Sequence, residues 1–125
     1  MIAGIGVDIV SVARIGRSLQ RHGPAFIDRV LSDAEKQFLP APGSRQPLYV
    51  ARIWAAKEAA LKALGVGLFG AVGLRDMTLS GPMQAMQLTL AGSAKDYARA
   101  CGGTRALVNI SSSGADRLIA VVILE

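Results

Sequence analysis

The amino-acid sequence predicts a single α+β domain spanning residues 1–125. Three observations indicate this class. An apolar, β-branched segment opens the chain, a long Ala- and Leu-rich helix occupies its middle, and the late strands follow one another through short turns. Strands joined in this way pair locally and antiparallel, unlike the strands of a βαβ sheet. The chain is 51% hydrophobic and only 18% charged, a composition that can bury a core.

The opening segment, residues 2–10, is short, apolar and β-branched, and it therefore predicts a strand. Ser11 can cap a following helix, in which apolar residues recur at helical spacing as far as Gly23. Pro24 is expected to open a second, short helix because proline is well tolerated in the first turn.

A third helix and a loop precede the middle of the chain. The pattern Ser32-x-x-Glu35 predicts a capping box, in which each side chain satisfies a backbone N–H at a helix N-terminus. Residues 40–47 are rich in Pro and Gly, and we expect a loop there. The strongest helix prediction then covers residues 48–64, which contain no Gly or Pro and stop at Gly65.

The second half of the chain predicts mainly strands. A glycine-rich segment, residues 65–73, follows the long helix, and a further helix is expected from Ser93 to about Ala100. Four strands are predicted in two pairs, each pair joined by a short turn: residues 75–80 with 84–90, and residues 105–112 with 118–124.

The charge pattern limits the possible partners without identifying one. The net charge is +5, and Arg14, Arg17 and Arg21 fall on one face of the first helix, opposite its apolar stripe. Such a face is often only solvated, but it can also attract an acidic partner. Anionic lipid, a phosphorylated cofactor and an acidic protein remain open, whereas nucleic acid is disfavoured because no basic run is interleaved with aromatic residues.

Several classes of protein are disfavoured by what the sequence lacks. No apolar stretch reaches the roughly 18 residues that span a bilayer, so we expect no membrane segment. The N-terminus does not resemble a signal peptide, and a cytoplasmic location is expected. Cys101 and His22 are the only residues of their types, so neither a disulfide nor a zinc-ligand pattern is predicted.

The long helix places chemistry-bearing side chains on one face. Trp54, Glu58 and Lys62 are spaced four apart and are therefore neighbours on the helix surface. Taken alone, Glu58 and Lys62 are more typical of a solvent-exposed ion pair than of a site. Lys57 falls inside the apolar stripe of the same helix, where a lysine usually extends its amine outwards to solvent.

Asp8 suggests a second interpretation of this helix face, as part of a binding site. It ends an apolar strand, where a carboxylate must be paired, hydrated or bound to a metal. Two carboxylates with lysines nearby suit a magnesium ion that bridges phosphates, because Mg²⁺ takes one or two protein carboxylates and fills the remainder with water and phosphate oxygens. Sequence patterns alone do not bring Asp8 and Glu58 together.

The motifs nevertheless resemble those of a known family. The segment GIGVDIV, the pattern Trp54-Ala55-Ala56-Lys57-Glu58 and the following AALKALGVG are similar to holo-acyl-carrier-protein synthase. The resemblance implies the 4′-phosphopantetheinyl transferase fold, as a single copy with a long central helix packed on an antiparallel sheet. It also implies Mg²⁺-dependent transfer of 4′-phosphopantetheine from coenzyme A to a serine of acidic acyl carrier protein, by a homotrimer with active sites between subunits.

By the same resemblance, the site residues fall into four groups. The metal ligands are Asp8 and Glu58; the catalytic residues are Glu58 and Lys62; the coenzyme A contacts are Lys57, Lys62, Gly65 and Asn109; and the carrier-protein contacts are Arg14 and Arg21.

The sequence departs from the family on the coenzyme A side. The arginine that commonly precedes the helix aromatic is Ile53 here, and Arg52 lies one residue earlier, about 100° away around the helix. The family's Gly-Lys-Pro reads Gln84-Ala85-Met86, its late-strand histidine is Asn109, and its Ser-His is Ser113-Gly114. A weak or inactive homologue that binds coenzyme A or carrier protein is therefore the alternative to an active transferase.

Overall fold

One antiparallel sheet of five strands forms the frame of the protein. The computed structural model describes residues 1–125, with strands β1 (Gly4–Ser11), β2 (Met77–Ser80), β3 (Gln87–Leu90), β4 (Ala106–Ser113) and β5 (Arg117–Leu124). The strand order is β1-β5-β4-β3-β2. The predicted α+β class and both predicted strand pairs are confirmed, since β2 pairs with β3 and β4 with β5.

The sheet also contains a pairing that sequence patterns did not predict. The first strand runs antiparallel to the last over its whole length, from Gly4 opposite Leu124 to Ser11 opposite Arg117. Because side chains alternate along a strand, this register turns Gly4, Gly6, Asp8 and Val10 towards the helices. The two ends of the chain therefore meet at the edge where Asp8 lies.

Four helices cover one face of the sheet. They are α1 (Val12–Val30), α2 (Asp33–Lys36), α3 (Arg45–Leu64) and α4 (Gly92–Ala100). The two helices predicted on either side of Gly23 are joined through a kink, where Gly23 adopts φ 46° and ψ −124°. The capping box at Ser32 and Glu35 is present as predicted. None of these helices combines the length and the hydropathy needed to cross a membrane.

The long helix begins earlier than predicted. It starts at Arg45 because Pro47 falls in the first turn, where a missing N–H breaks no hydrogen bond. It ends as predicted at Gly65, which caps it in the left-handed conformation with φ 74°.

The backbone of α3 lies unusually close to β1. A Cβ atom added at Gly6 would lie 1.8 Å from the carbonyl oxygen of Ala59, and one added at Gly4 would lie 2.0 Å from that of Ala63. Both glycines are required because any side chain would occupy the space of the helix backbone. This contact fixes the height at which α3 crosses the first strand.

The opposite face of the sheet is apolar and open. Ile5, Val7 and Ile9 of β1 are 57%, 47% and 60% exposed, and Leu107 of β4 is 44% exposed. They lie beside half-buried apolar residues of β5, namely Ile119, Val121 and Ile123. We call this surface the outer apolar face; it has no covering element within the chain.

We predict that Gly6→Ala destabilises the protein by at least about 2 kcal/mol, because the new methyl group must push α3 away from β1. Urea unfolding followed by circular dichroism measures this change in the free energy of unfolding. Gly67→Ala is the matched control, since a Cβ at Gly67 meets nothing within 4 Å. Equal stability of the two variants would contradict a tight contact between helix and strand.

Candidate active site

Asp8 and Glu58 face one cavity at the edge of the sheet. The cavity has a volume of about 530 Å³, and its lining includes both carboxylates. Asp8 reaches it from the helix-facing side of β1, and Glu58 reaches it from α3 directly before Ala59, whose carbonyl touches Gly6. The tertiary structure thus brings together the two acids that the sequence could only place on separate elements.

Lys62 joins the site through Asp8. Its Nζ donates to Asp8 Oδ1 at 2.9 Å and to the carbonyl oxygen of Val7 at 3.1 Å. The side chain of Asp8 is 13% exposed and that of Lys62 is 52% exposed. The ammonium group therefore lies at the mouth of the site, where it can also meet an anion arriving from solvent.

Glu58 is the acid whose ionisation the site alters. Burial raises the pKa of Glu58 above its ordinary value, the neighbouring Asp8 carboxylate raises it further, and Lys62 acts in the opposite direction. Both causes of the rise penalise a second negative charge in a partly desolvated site. Glu58 is consequently a better proton acceptor than an exposed glutamate, and a cation would relieve its repulsion from Asp8.

Aromatic residues form one wall of the cavity. Trp54, one helical turn before Glu58, packs against Phe26 of α1 with ring centroids 5.5 Å apart. Both rings line the cavity together with Ile15. The predicted grouping of Trp54, Glu58 and Lys62 on one face of the long helix is confirmed, and the apolar wall accounts for part of the desolvation of Glu58.

Lys57 lies elsewhere, in the interior of the protein. Its side chain is 0% exposed, and its Nζ donates to Glu35 Oε1 and to the carbonyl oxygen of Val30, both at 2.6 Å. The expectation that its amine reaches solvent is wrong, because Glu35 supplies a buried counter-charge. Lys57 contributes no surface to the cavity, so the structure does not join it to Asp8 and Glu58.

The two arginines expected to bind a carrier protein lie on the exposed face of α1. Arg14 lines the cavity itself, whereas Arg21 lies about two turns further along the helix. Sequence patterns missed a third arginine, Arg117, which starts β5 and also lines the cavity. Only the pairing of the first strand with the last could have revealed it, because Arg117 lies opposite Ser11.

The remaining expected coenzyme A contacts lie apart from one another. Gly65 ends α3 close to Lys62, and nothing lies within 4 Å of where its Cβ would be, so the backbone there is open to a ligand. Asn109 is exposed on β4 opposite Val121, which pairs with Val7. Asn109 therefore lies on the outer apolar face, and the fold does not bring it to Glu58 of the same chain.

A second cavity is lined by two of the positions that depart from the family, Ile53 and Met86. It has a volume of about 560 Å³, and Arg52, Ile53 and Met86 line it together with Phe38 and Tyr49. Arg52 lies about 100° around the helix from Ile53, where the family commonly has its arginine, but both residues line this cavity. The buried Nε of Arg52 has no hydrogen-bond partner within the chain, so this cavity wall contains an unsatisfied donor.

These features define a class of protein. Two carboxylates, one of them disfavoured in its ionised form by burial, can bind a divalent cation. Lys62, which is half exposed and bonded to Asp8, can bind phosphate, and Arg14 and Arg117 line the same cavity. A third His, Cys, Asp or Glu ligand is not grouped with them, which is typical of Mg²⁺ sites that rely on water and substrate oxygens. The site is that of a protein acting on a phosphorylated substrate.

Comparisons with known proteins agree with this class. The family model of the 4′-phosphopantetheinyl transferase superfamily matches residues 4–107. Holo-[acyl-carrier-protein] synthase of Nitratidesulfovibrio vulgaris is 41% identical over 126 residues, covering 100% of this chain and 99% of that protein. The corresponding protein of Halorhodospira halophila is 40% identical, covering 99% and 98%. The chain belongs to the holo-[acyl-carrier-protein] synthase family.

Solved structures give the same result. Holo-[acyl-carrier-protein] synthase of Neisseria meningitidis superposes with a TM-score of 0.87 at 33% identity, covering 100% of this chain and 99% of that one. The Helicobacter pylori enzyme in complex with coenzyme A gives a TM-score of 0.79 at 33% identity, covering 97% and 99%. The family predicted from the N-terminal motif and the helix motif is therefore confirmed.

The raised pKa of Glu58 predicts a pH-dependent gain in stability for Glu58→Gln. The folded protein binds the Glu58 proton more tightly than the unfolded chain, so the free energy of unfolding falls as pH rises from about 4.5 through the raised folded-state pKa. The variant lacks this loss and is expected to melt at a higher temperature than the wild type at neutral pH. Thermal unfolding in EDTA across pH 4–8 measures it.

Asp28→Asn is the control of opposite sign. The hydrogen bond from Lys36 lowers the pKa of Asp28, so its ionised form favours the folded state. This variant should be the less stable one at neutral pH, and its deficit should shrink as pH falls. A Glu58→Gln variant that melts below the wild type throughout would contradict the unfavourable charge at Glu58.

Proposed function

We propose that this protein transfers 4′-phosphopantetheine from coenzyme A to a serine of apo-acyl carrier protein and releases 3′,5′-ADP. The observation that carries the proposal is that Asp8 and Glu58 face one cavity and Lys62 bonds to Asp8, in a chain of this family. The coenzyme A complex of the Helicobacter pylori enzyme and the ADP complex of a Plasmodium yoelii relative support the choice of donor. The cytoplasm is the proposed compartment.

Asp8 and Glu58 are the proposed Mg²⁺ ligands. The donor set fits this ion, because both carboxylates face the same cavity and none of the ion pairs in the structure neutralises Glu58. When bound there, Mg²⁺ would offset the negative charge of the coenzyme A pyrophosphate.

Glu58 is the proposed proton acceptor. Its raised pKa makes it more basic than an exposed carboxylate, and its position in the cavity lets a serine hydroxyl approach it directly or through water. The serine oxygen then forms a bond to the β-phosphorus, the bond from that phosphorus to the 3′,5′-ADP oxygen breaks, and the serine proton passes to Glu58. Charge and positioning dominate because 3′,5′-ADP is a good leaving group.

Lys62 and Gly65 are proposed to hold the donor. Lys62 is half exposed, so it can keep Asp8 oriented and direct a proton of its ammonium group to a phosphate oxygen. Gly65 leaves its backbone open at the end of α3, where a side chain would meet the incoming pyrophosphate. Lys57 is not part of this set, since it is enclosed in the core.

The basic face of α1 is the proposed docking surface for the carrier protein. Arg14 lies at the cavity, where a serine entering with its carrier would pass, and Arg21 extends the positive surface along the helix. An acidic helix on the carrier fits this arrangement because opposite charges steer the encounter of the two proteins.

A homotrimer is proposed because a single chain does not bring all of the expected site residues together. Asn109 and the Arg52 cavity lie away from Glu58 in the same chain, and the outer apolar face is uncovered. Packing a second copy on that face would bury the apolar residues and place Asn109 at a subunit boundary. The nucleotide end of coenzyme A would then meet Arg52 and Asn109 of a neighbouring copy.

Glu58→Gln is expected to reduce transfer at least about 100-fold, because the amide neither accepts the serine proton nor supplies a charged metal ligand. The assay mixes protein, coenzyme A, Mg²⁺ and several apo-carrier proteins, and mass spectrometry detects the phosphopantetheine adduct. Asp96→Asn, on the exposed surface of α4, is the matched acid-to-amide control and should keep wild-type rates. Transfer by Glu58→Gln at the wild-type rate would eliminate the assignment. A wild type that binds coenzyme A but modifies no carrier would instead identify a non-catalytic homologue.

Ile5→Glu is expected to convert the trimer into monomers and to lower transfer in parallel, because a charge in the middle of a buried apolar face has no partner there. Light scattering coupled to size exclusion measures the mass. Leu48→Glu provides an apolar-to-acid control at an exposed residue outside the sheet. A wild type that is monomeric at micromolar concentration yet fully active would rule out the interfacial site.

A further inference from the structure

The most completely buried charged groups of the protein lie outside the site. The side chains of Lys57 and Glu35 are both 0% exposed and form an ion pair at 2.6 Å. Glu35 Oε1 also accepts from the N–H of Ser32 at 2.8 Å, and Glu35 Oε2 accepts from the N–H of Leu79 at 2.7 Å. With the bond from Lys57 to the carbonyl of Val30, the pair connects four segments of the chain.

This network ties α3 to three other segments through buried hydrogen bonds of Lys57. Val30 ends α1, Ser32 and Glu35 belong to the capping box of α2, and Leu79 lies in β2. Two residues of α3 bond to Glu35: Tyr49 donates to its backbone carbonyl at 2.6 Å, and Lys57 donates to its carboxylate. Lys57 directly precedes Glu58. The network therefore holds the long helix at the residue directly before Glu58, the proposed base.

Much of the remaining buried surface of α3 consists of small residues. Six of its buried residues are alanines, namely Ala51, Ala55, Ala56, Ala59, Ala60 and Ala63. Alanines form shallow ridges, so they allow close approach to β1 but resist turning of the helix only weakly. Directional hydrogen bonds from Lys57 resist this rotation, because neither partner can follow without losing its buried contacts.

We propose that Lys57 and Glu35 act as a positioning pair, which fixes the rotation of α3 so that Glu58 faces Asp8. The proposal rests on the proposed function, in which Glu58 and Asp8 work together. Stability alone explains the pair poorly, because a buried ion pair contributes little more than an apolar pair of similar volume and costs desolvation of both charges. A specific register is a better-attested use of such a pair.

The test measures activity and geometry in Lys57→Met, in Glu35→Gln and in the double variant. Each single variant is expected to lower kcat at least tenfold and to raise the Mg²⁺ concentration for half-maximal rate at least tenfold. The KM for carrier protein should stay within twofold, since Arg14 and Arg21 are on another helix. If the two residues act as a coupled pair, the double variant loses no more kcat than the more impaired single variant.

Trp54 reports the geometry independently of activity. It is the only tryptophan, it lies one turn before Glu58 on α3, and it packs on Phe26. A rotated helix changes this contact, so the emission maximum of each single variant should shift relative to the wild type. This readout requires neither metal nor substrate.

Two controls separate positioning from loss of stability. Val50→Ala creates a cavity in the buried face of the same helix, two turns from Glu58, without touching the pair. It should lower the melting temperature while leaving kcat and the Mg²⁺ dependence unchanged. Lys36→Met removes the exposed ion pair with Asp28 and should change neither kcat nor the emission of Trp54.

The outcomes distinguish this proposal from the proposed function. Folded Lys57→Met with wild-type kcat, Mg²⁺ dependence and emission would overturn the positioning role. A Val50→Ala variant that loses as much kcat and Mg²⁺ affinity as Lys57→Met would also overturn it. If Lys57→Met does not fold, Glu35→Gln carries the test, because it keeps the side-chain volume and one acceptor oxygen. If the wild type modifies no carrier, the proposed function fails, and the emission of Trp54 alone supports or overturns the positioning pair.

Discussion

The close contact between α3 and β1 is the constraint on which the site depends. Gly6 allows the carbonyl of Ala59 to approach the strand, and Gly4 does the same for Ala63 one helical turn later. Asp8 follows Gly6 by two residues and therefore emerges on the same face of the strand, while Glu58 directly precedes Ala59 on the helix. The glycines thus bring the two carboxylates into one cavity, which no local pattern of either element achieves.

Two neighbouring residues on α3 differ in whether their charge has a partner inside the protein. Lys57 is fully enclosed, and burial lowers its pKa, although Glu35 counters part of this effect. Glu58, one position later, is partly desolvated next to another acid, and its pKa rises. The first charge is satisfied inside the protein and serves the framework; the second is left unsatisfied at an opening and is available for chemistry.

The separation of the two cavities gives the proposed oligomer a physical basis. Asp8, Glu58 and Lys62, the proposed metal and phosphate ligands, lie in one part of the chain, whereas Arg52, with its unsatisfied Nε, lines the other cavity. The outer apolar face is the natural surface on which copies of the chain would meet. A donor molecule with a long phosphorylated arm would use groups from two copies, and neither copy would suffice alone.

The sequence by itself determined the α+β class, nearly every helix and strand, the capping box at Glu35 and the grouping of Trp54, Glu58 and Lys62 on one face. These features depend on local spacing and turn residues, which the chain displays directly. Tertiary structure decided the pairing of β1 with β5, the meeting of Asp8 with Glu58, the presence of Arg117 at the cavity and the burial of Lys57 against Glu35. Each of these joins residues far apart in the chain, and periodicity carries no information about which distant partner will neutralise a charge or cover a strand.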